Sequence, residues 1–85
     1  MDIRDRIKRI ISEEMNIEGI TPEDISDDAP LFGEGLGLDS LDAIELVLLV
    51  KMHFGVEIRN AEEGRIAFQS VAVLADYIRK RGRQY

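Results

Sequence analysis

Residues 41–54 are apolar on almost every side of a helix, and no other stretch constrains the fold of this chain as tightly. At about 100° per residue, Ala43, Leu46, Val47, Val50 and Phe54 gather on one side, and Leu41, Ile44, Leu48 and Met52 gather on the other. Asp42, Glu45 and Leu49 occupy the flank between them. A helix that is apolar nearly all round is normally buried. The chain has only 85 residues, however, close to the size at which one core is just sufficient. Few elements are available to cover both faces. The side centred on Leu46 and Val50 is expected to face the core. For the Leu41 side, either the preceding loop folds over it or part of it stays exposed as a docking surface. The second reading is favoured, because acids beside the stripe would steer a basic partner before apolar contact forms.

The helix is expected to run from Ser40 to Phe54 and to stop at Gly55, a residue suited to a left-handed cap. Before it, residues 3–15 place Ile3, Ile7, Ile10, Ile11 and Met15 on one helical face, with a mixed-charge opposite face. The stretch 16–38 is too long for a plain connector. Its Ile20, Ile25, Leu31 and Phe32 are expected to pack it against the core, and Thr21-Pro22 fits the start of one helical turn. After Gly55, Asn60 and Glu63 have capping-box spacing for a short helix over Ala61–Ala67, which Gly64 weakens. A last helix begins after Ser70, with Val71, Leu74, Ala75 and Ile78 on one face, and frays from Arg79 into a basic tail. The predicted architecture is all-α: a small bundle of three main helices plus one short one, with a long first loop. The whole of 1–85 reads as a single domain, with 80–85 expected to be mobile.

Charge and composition exclude several function classes. Net charge is −6, and Glu18, Glu23, Asp24, Asp27, Asp28, Glu34 and Asp39 fall between residues 17 and 40 without a single base. Acids around Ser40 argue against nucleic acid and for basic protein partners, although solubility alone explains them equally well. No cysteine is present, so disulfides and thiolate chemistry are excluded, in keeping with a reducing cytoplasm. The N-terminus lacks a signal-peptide pattern. The longest apolar-rich segment falls well short of the roughly 20 residues of a membrane span. A soluble, monomeric protein without membrane insertion is expected.

The chemistry-bearing residue is Ser40. Asp39 with Asp42 three residues on fits a cap followed by a first-turn acid. Ser40 then takes the first helical position, and its hydroxyl is not consumed by capping. A helix N-terminus favours a phosphate, because unpaired N–H groups and the dipole both point at it. A catalytic serine would need a nearby base. The single histidine, His53, lies thirteen residues along the same helix, about 20 Å away at ~1.5 Å per residue. Lys51 has the same problem. Ser40 is therefore read as a place of attachment and the protein as no enzyme. His53 itself is expected at the surface near the helix C-terminus. No metal set has ligand spacing; a loosely bound divalent ion near Glu34, Asp39 and Asp42 is the weakest of these expectations.

The residues from Leu31 to Asp42, Leu31-Phe32-Gly33-Glu34-Gly35-Leu36-Gly37-Leu38-Asp39-Ser40-Leu41-Asp42, followed by Ile44-Glu45-Leu46-Val47 and closed by Phe54-Gly55-Val56-Glu57-Ile58, resemble acyl carrier proteins. Ser70-Val71 through Ala75-Asp76-Tyr77-Ile78 is similar to the family's last helix, so the resemblance spans nearly the whole chain. It implies that Ser40 receives 4′-phosphopantetheine from coenzyme A through a phosphopantetheinyl transferase, with Asp39 part of the attachment motif. The arm's thiol would carry an acyl group as a thioester to acyl-transferring and condensing enzymes with basic docking surfaces, in fatty-acid, polyketide or related biosynthesis. Leu41, Asp42, Ile44, Glu45, Leu48 and Met52 map to the partner-recognition helix. Leu46, Val47, Val50 and Phe54 map to the lining that shelters an acyl chain.

The chain also departs from that pattern. General fatty-acid carriers usually keep acids where this helix ends in Lys51, Met52 and His53. Residues 59–70 are longer and less acidic than in those carriers, and the tail is basic. A dedicated carrier for a specialised pathway is the expectation. Peptidyl and D-alanyl carriers share the bundle, but peptidyl carriers usually show a Gly-Gly-x-Ser type of motif, unlike Leu38-Asp39-Ser40. An unmodified helical adaptor using the same apolar stripe stands as the alternative from a different class.

Overall fold

The computed structural model describes residues 2–15, 19–32 and 37–81. The expected glycine-rich stretch 33–36, with Glu34, and the tail beyond Arg81 lie outside the described residues. Among the described residues four α-helices follow in order: α1 (Ile3–Glu14), α2 (Ser40–Phe54), α3 (Ala61–Ala67) and α4 (Val71–Arg81). No strand is present among the described residues. A lone parallel bridge joins Phe32 to Leu38 at the end of the first loop.

α1 buries Ile3, Ile7, Ile10 and Ile11, the face its spacing predicts, and Met15 is buried just past its end. This face packs against α4, where Val71, Leu74, Ala75 and Ile78 are buried on a matching stripe. The Ser70 hydroxyl accepts the Val73 N–H at 3.1 Å and so caps α4. The helix continues to Arg81 rather than fraying from Arg79. Its last turn carries three cations, which suit the negative end of the dipole. Lys80 also pairs with Asp76 at 3.1 Å, and the Arg81 guanidinium lies 4.5 Å from the Tyr77 ring centre.

The first loop is packed, as its apolar residues require. Ile25 and Leu31 are buried, and Ile20 and Phe32 lean on the same core. A 3-10 turn, Pro22–Asp24, starts after Thr21, as the sequence suggests. The Asp24 carboxylate accepts the Thr21 N–H and the Thr21 hydroxyl, both at 3.0 Å, and the Thr21 N–H above all holds its pKa below the usual carboxylate value. Asp27 then clamps the loop down. Its carboxylate meets Lys8 and accepts from Arg4 Nη1 at 3.3 Å, while its carbonyl accepts the Ala72 N–H at 2.9 Å. One residue thus ties the loop to α1 and to the first turn of α4.

The bond from Lys8 is the main cause that holds the Asp27 carboxyl below its ordinary pKa. A depressed pKa contributes stability that is present above the unfolded value, near 4, and lost as pH falls through the lower folded value. Asp27→Asn is therefore expected to lower the thermal midpoint at pH 7. The gap from wild type should close below about pH 4. Equal midpoints for the two proteins at pH 7 would show that Asp27 acts only through its backbone carbonyl, which asparagine keeps.

α2 differs from the expected orientation in one respect. Its buried residues are Leu46, Leu49, Val50 and Phe54. Leu49, assigned to the flank, is inside, while Ala43 and Val47, assigned to the core, are half-buried at its edge. The covering elements reach round to Leu49 and stop short of Val47. Past Gly55, which takes a left-handed φ of 68°, Val56 and Ile58 are buried while Glu57 and Arg59 are exposed. His53 lies in the last turn of α2, partly exposed, with its Nε2 2.8 Å from Glu14 Oε2 and its carbonyl accepting from Arg6 Nη2 at 3.3 Å. The ends of α1 and α2 are joined there, with the Arg6 guanidinium stacked 4.6 Å from the Phe54 ring centre.

Candidate functional site

The start of α2 is built by a reciprocal cap. Asp39 has extended backbone, and its Oδ1 accepts the N–H groups of Leu41 and Asp42, both at 3.0 Å. Asp42 Oδ2 accepts the Asp39 N–H at 3.0 Å. Two carboxylates thereby satisfy the helix end between them. Ser40, at the first helical position, takes no part in these bonds and is exposed.

The other serines are all engaged. Ser12 donates to the Arg9 carbonyl at 3.3 Å, Ser26 accepts the Asp28 N–H at 3.3 Å, and Ser70 is buried beneath its cap bond. Ser40 is the one serine among them that combines exposure, a helix N-terminus and a hydroxyl outside the capping bonds. The carboxylates of Asp39 and Asp42 are committed to the cap, and no group of three or more metal-ligating side chains exists among the described residues. Among the described residues, the single histidine, His53, is paired with Glu14 at the far end of α2 from Ser40.

A groove of about 680 Å³ opens beside Ser40. One wall is α2, through Ala43, Ile44 and Val47. The other comes from Ile58, Arg59, Asn60 and the α3 residues Gly64 and Arg65, with Phe68 and Phe32 between them. The two phenylalanine rings lie 6.1 Å apart and tilted, which joins the first loop to the end of α3. Of the residues expected to line a sheltering pocket, Val47 borders this groove. Leu46, Val50 and Phe54 are buried in the core.

α3, the helix that forms the far wall, is held by polar bonds. Asn60 Oδ1 accepts the Glu63 N–H at 2.9 Å. The Glu63 carboxylate reaches the Arg59 N–H at 3.2 Å, one residue further back than the capping-box spacing implies. It also accepts the Tyr77 hydroxyl at 3.0 Å, which links α3 to α4. The Arg59 N–H is the main cause that lowers the Glu63 pKa, and burial is the main cause that raises that of Tyr77. Gly64 adds a testable point. A Cβ there would meet Phe68 at 3.7 Å and Ile58 at 3.8 Å, ordinary contacts. Gly64→Ala is thus expected to stabilise the fold by about 0.5–1 kcal/mol while narrowing the groove. A lower melting midpoint would show that α3 cannot take the side chain.

The second stripe of α2 stays uncovered: Leu41 and Met52 are each 75% exposed, Ile44 61% and Leu48 57%. Glu45 is exposed and Asp42 half-exposed beside it. The Leu41 side of α2 is therefore left to solvent. Ile66 on α3, 59% exposed, joins the set without having been singled out in the sequence. No helix of the described residues is long and apolar enough to cross a membrane. A family model described as a phosphopantetheine attachment site matches residues 5–78.

Proposed function

The chain belongs to the phosphopantetheine-attachment family, and on that premise we propose that it is an acyl carrier protein whose attachment residue is Ser40. Domains of this family receive covalent 4′-phosphopantetheine and carry substrates for enzymes without being catalytic themselves. The observation that carries the choice of residue is the division of labour at the start of α2. Asp39 and Asp42 complete the cap, which leaves the Ser40 hydroxyl exposed at the first helical position and outside the capping bonds.

The residues present fit the group. Ser40 Oγ would hold its phosphate, and the adjoining groove offers apolar surface from Val47, Ile58 and Phe68. When bound, the group supplies a terminal thiol, absent from a chain without cysteine, on which an acyl chain is held as a thioester. With Lys51 and His53 in the last turn of α2, far from Ser40, a phosphopantetheinyl transferase is expected to supply the base that takes the Ser40 proton. The exposed stripe Leu41, Ile44, Leu48 and Met52, with Asp42 and Glu45 beside it, supports docking by acyl-transferring and condensing enzymes with basic surfaces. Lys51 and His53 at the end of α2, and Arg59 and Arg65 across the groove, support a specialised pathway rather than general fatty-acid synthesis.

The test is the intact mass of the purified protein after incubation with coenzyme A and a promiscuous phosphopantetheinyl transferase. A gain of one phosphopantetheine is expected. No gain, with helicity intact and the enzyme active on a control carrier, would leave the uncovered stripe to be explained as an adaptor surface.

A further inference from the structure

Net charge is −6, yet among the described residues the groove beside Ser40 is lined by two arginines, Arg59 and Arg65, and by no carboxylate. Both arginines are exposed, and neither forms an ion pair among the described residues. Glu63, the acid with an electrostatic influence from Arg59, has its carboxylate engaged by the Arg59 N–H and the Tyr77 hydroxyl. The walls between the arginines and α2 are apolar: Val47, Ile58, Phe32 and Phe68. Apolar walls exclude water from one side of a charge and strengthen a charge-assisted hydrogen bond. A guanidinium presents a planar fork that matches a carboxylate in two parallel bonds, which an ammonium does not.

Resting on Ser40 as the attachment residue, we propose that this groove selects an acyl chain bearing a carboxylate. Its methylenes lie against Val47, Ile58 and Phe68, and its carboxylate is held by Arg59 and Arg65. The phosphate at Ser40 is the other anion that the same arginines can reach, so the experiment must separate the two sources.

The protein is loaded with the transferase from coenzyme A, hexanoyl-coenzyme A or adipoyl-coenzyme A, and each product is confirmed by intact mass. The side-chain Nε–H resonances of Arg59 and Arg65 and the melting midpoint are then recorded for every form. The adipoyl form alone is expected to shift both resonances and to melt a few degrees above the hexanoyl form. The difference in midpoint should vanish in the R59Q/R65Q double variant, which alters only exposed side chains. Equal responses to hexanoyl and adipoyl chains would overturn the proposal. So would resonances already fully shifted in the form loaded from coenzyme A, which would assign the arginines to the phosphate. Failure to load in every case would instead overturn attachment at Ser40.

Discussion

Ser40→Ala is expected to abolish covalent loading outright while leaving the fold unchanged. The loss is complete because no other serine combines exposure with the first position of a helix. Ser12, Ser26 and Ser70 are engaged by local bonds, and Ser70 is buried at the start of α4. The fold is spared because the cap at the start of α2 belongs to Asp39 and Asp42. Alanine at the first helical position removes no bond and has the highest helix propensity. The thermal midpoint of the variant should match wild type within a degree or two. Asp39→Ala gives the reverse pattern. It removes the side chain that accepts two N–H groups and should cost about 1 kcal/mol of stability with Ser40 intact. If Ser40→Ala melted as Asp39→Ala does, the hydroxyl would be part of the cap and its availability would be lost as a premise.

The second large effect lies in the core. Leu74 is fully buried on the face of α4 that meets α1, in the same core as Ile7, Ile11 and Ile78. Leu74→Ala should cost about 2–5 kcal/mol, the range for a buried leucine that leaves a cavity. For a domain of this size that is about 10 °C or more in melting midpoint. Leu48→Ala, on the uncovered side of α2, should change stability by about 0.5 kcal/mol or less, because Leu48 is already 57% exposed. Both are leucine-to-alanine changes on helices, so urea melts of the two isolate burial from residue type. Equal costs would mean that the stripe is covered in solution.

The parts of this structure that the sequence reveals are those whose causes lie within a few residues. Asp39 with Asp42, Thr21 with Asp24 and Gly55 after Phe54 each form turn chemistry over at most four positions, and each stands where its spacing predicts. The isoleucine face of α1 and the Leu74 face of α4 follow from helical periodicity alone. α2 is harder to read because its apolar residues surround it. Periodicity identifies opposite stripes but does not say where the cover ends, and it ends between Leu49 and Val47.

The contacts that join distant segments carry no local signal. Asp27 meets Arg4 and Lys8 on α1, and His53 meets Glu14, although an exposed position suits the composition of that helix end equally well. The groove is the extreme case. Phe32, Val47, Ile58 and Phe68 come from the first loop, α2, the α2–α3 segment and the end of α3. Its wall could be traced only once those segments were placed together. Ser40 stands at the opposite extreme: the proposal that it is the attachment residue rests on the residues immediately beside it.

The most direct measurement is fragmentation of the loaded protein into peptides, to find which side chain carries the added mass. The expected result places one phosphopantetheine on Ser40 in the peptide that contains Asp39 and Leu41, with Ser12, Ser26 and Ser70 unmodified. Added mass on any of those three, or a chain that remains unmodified while a control carrier is converted, would contradict it.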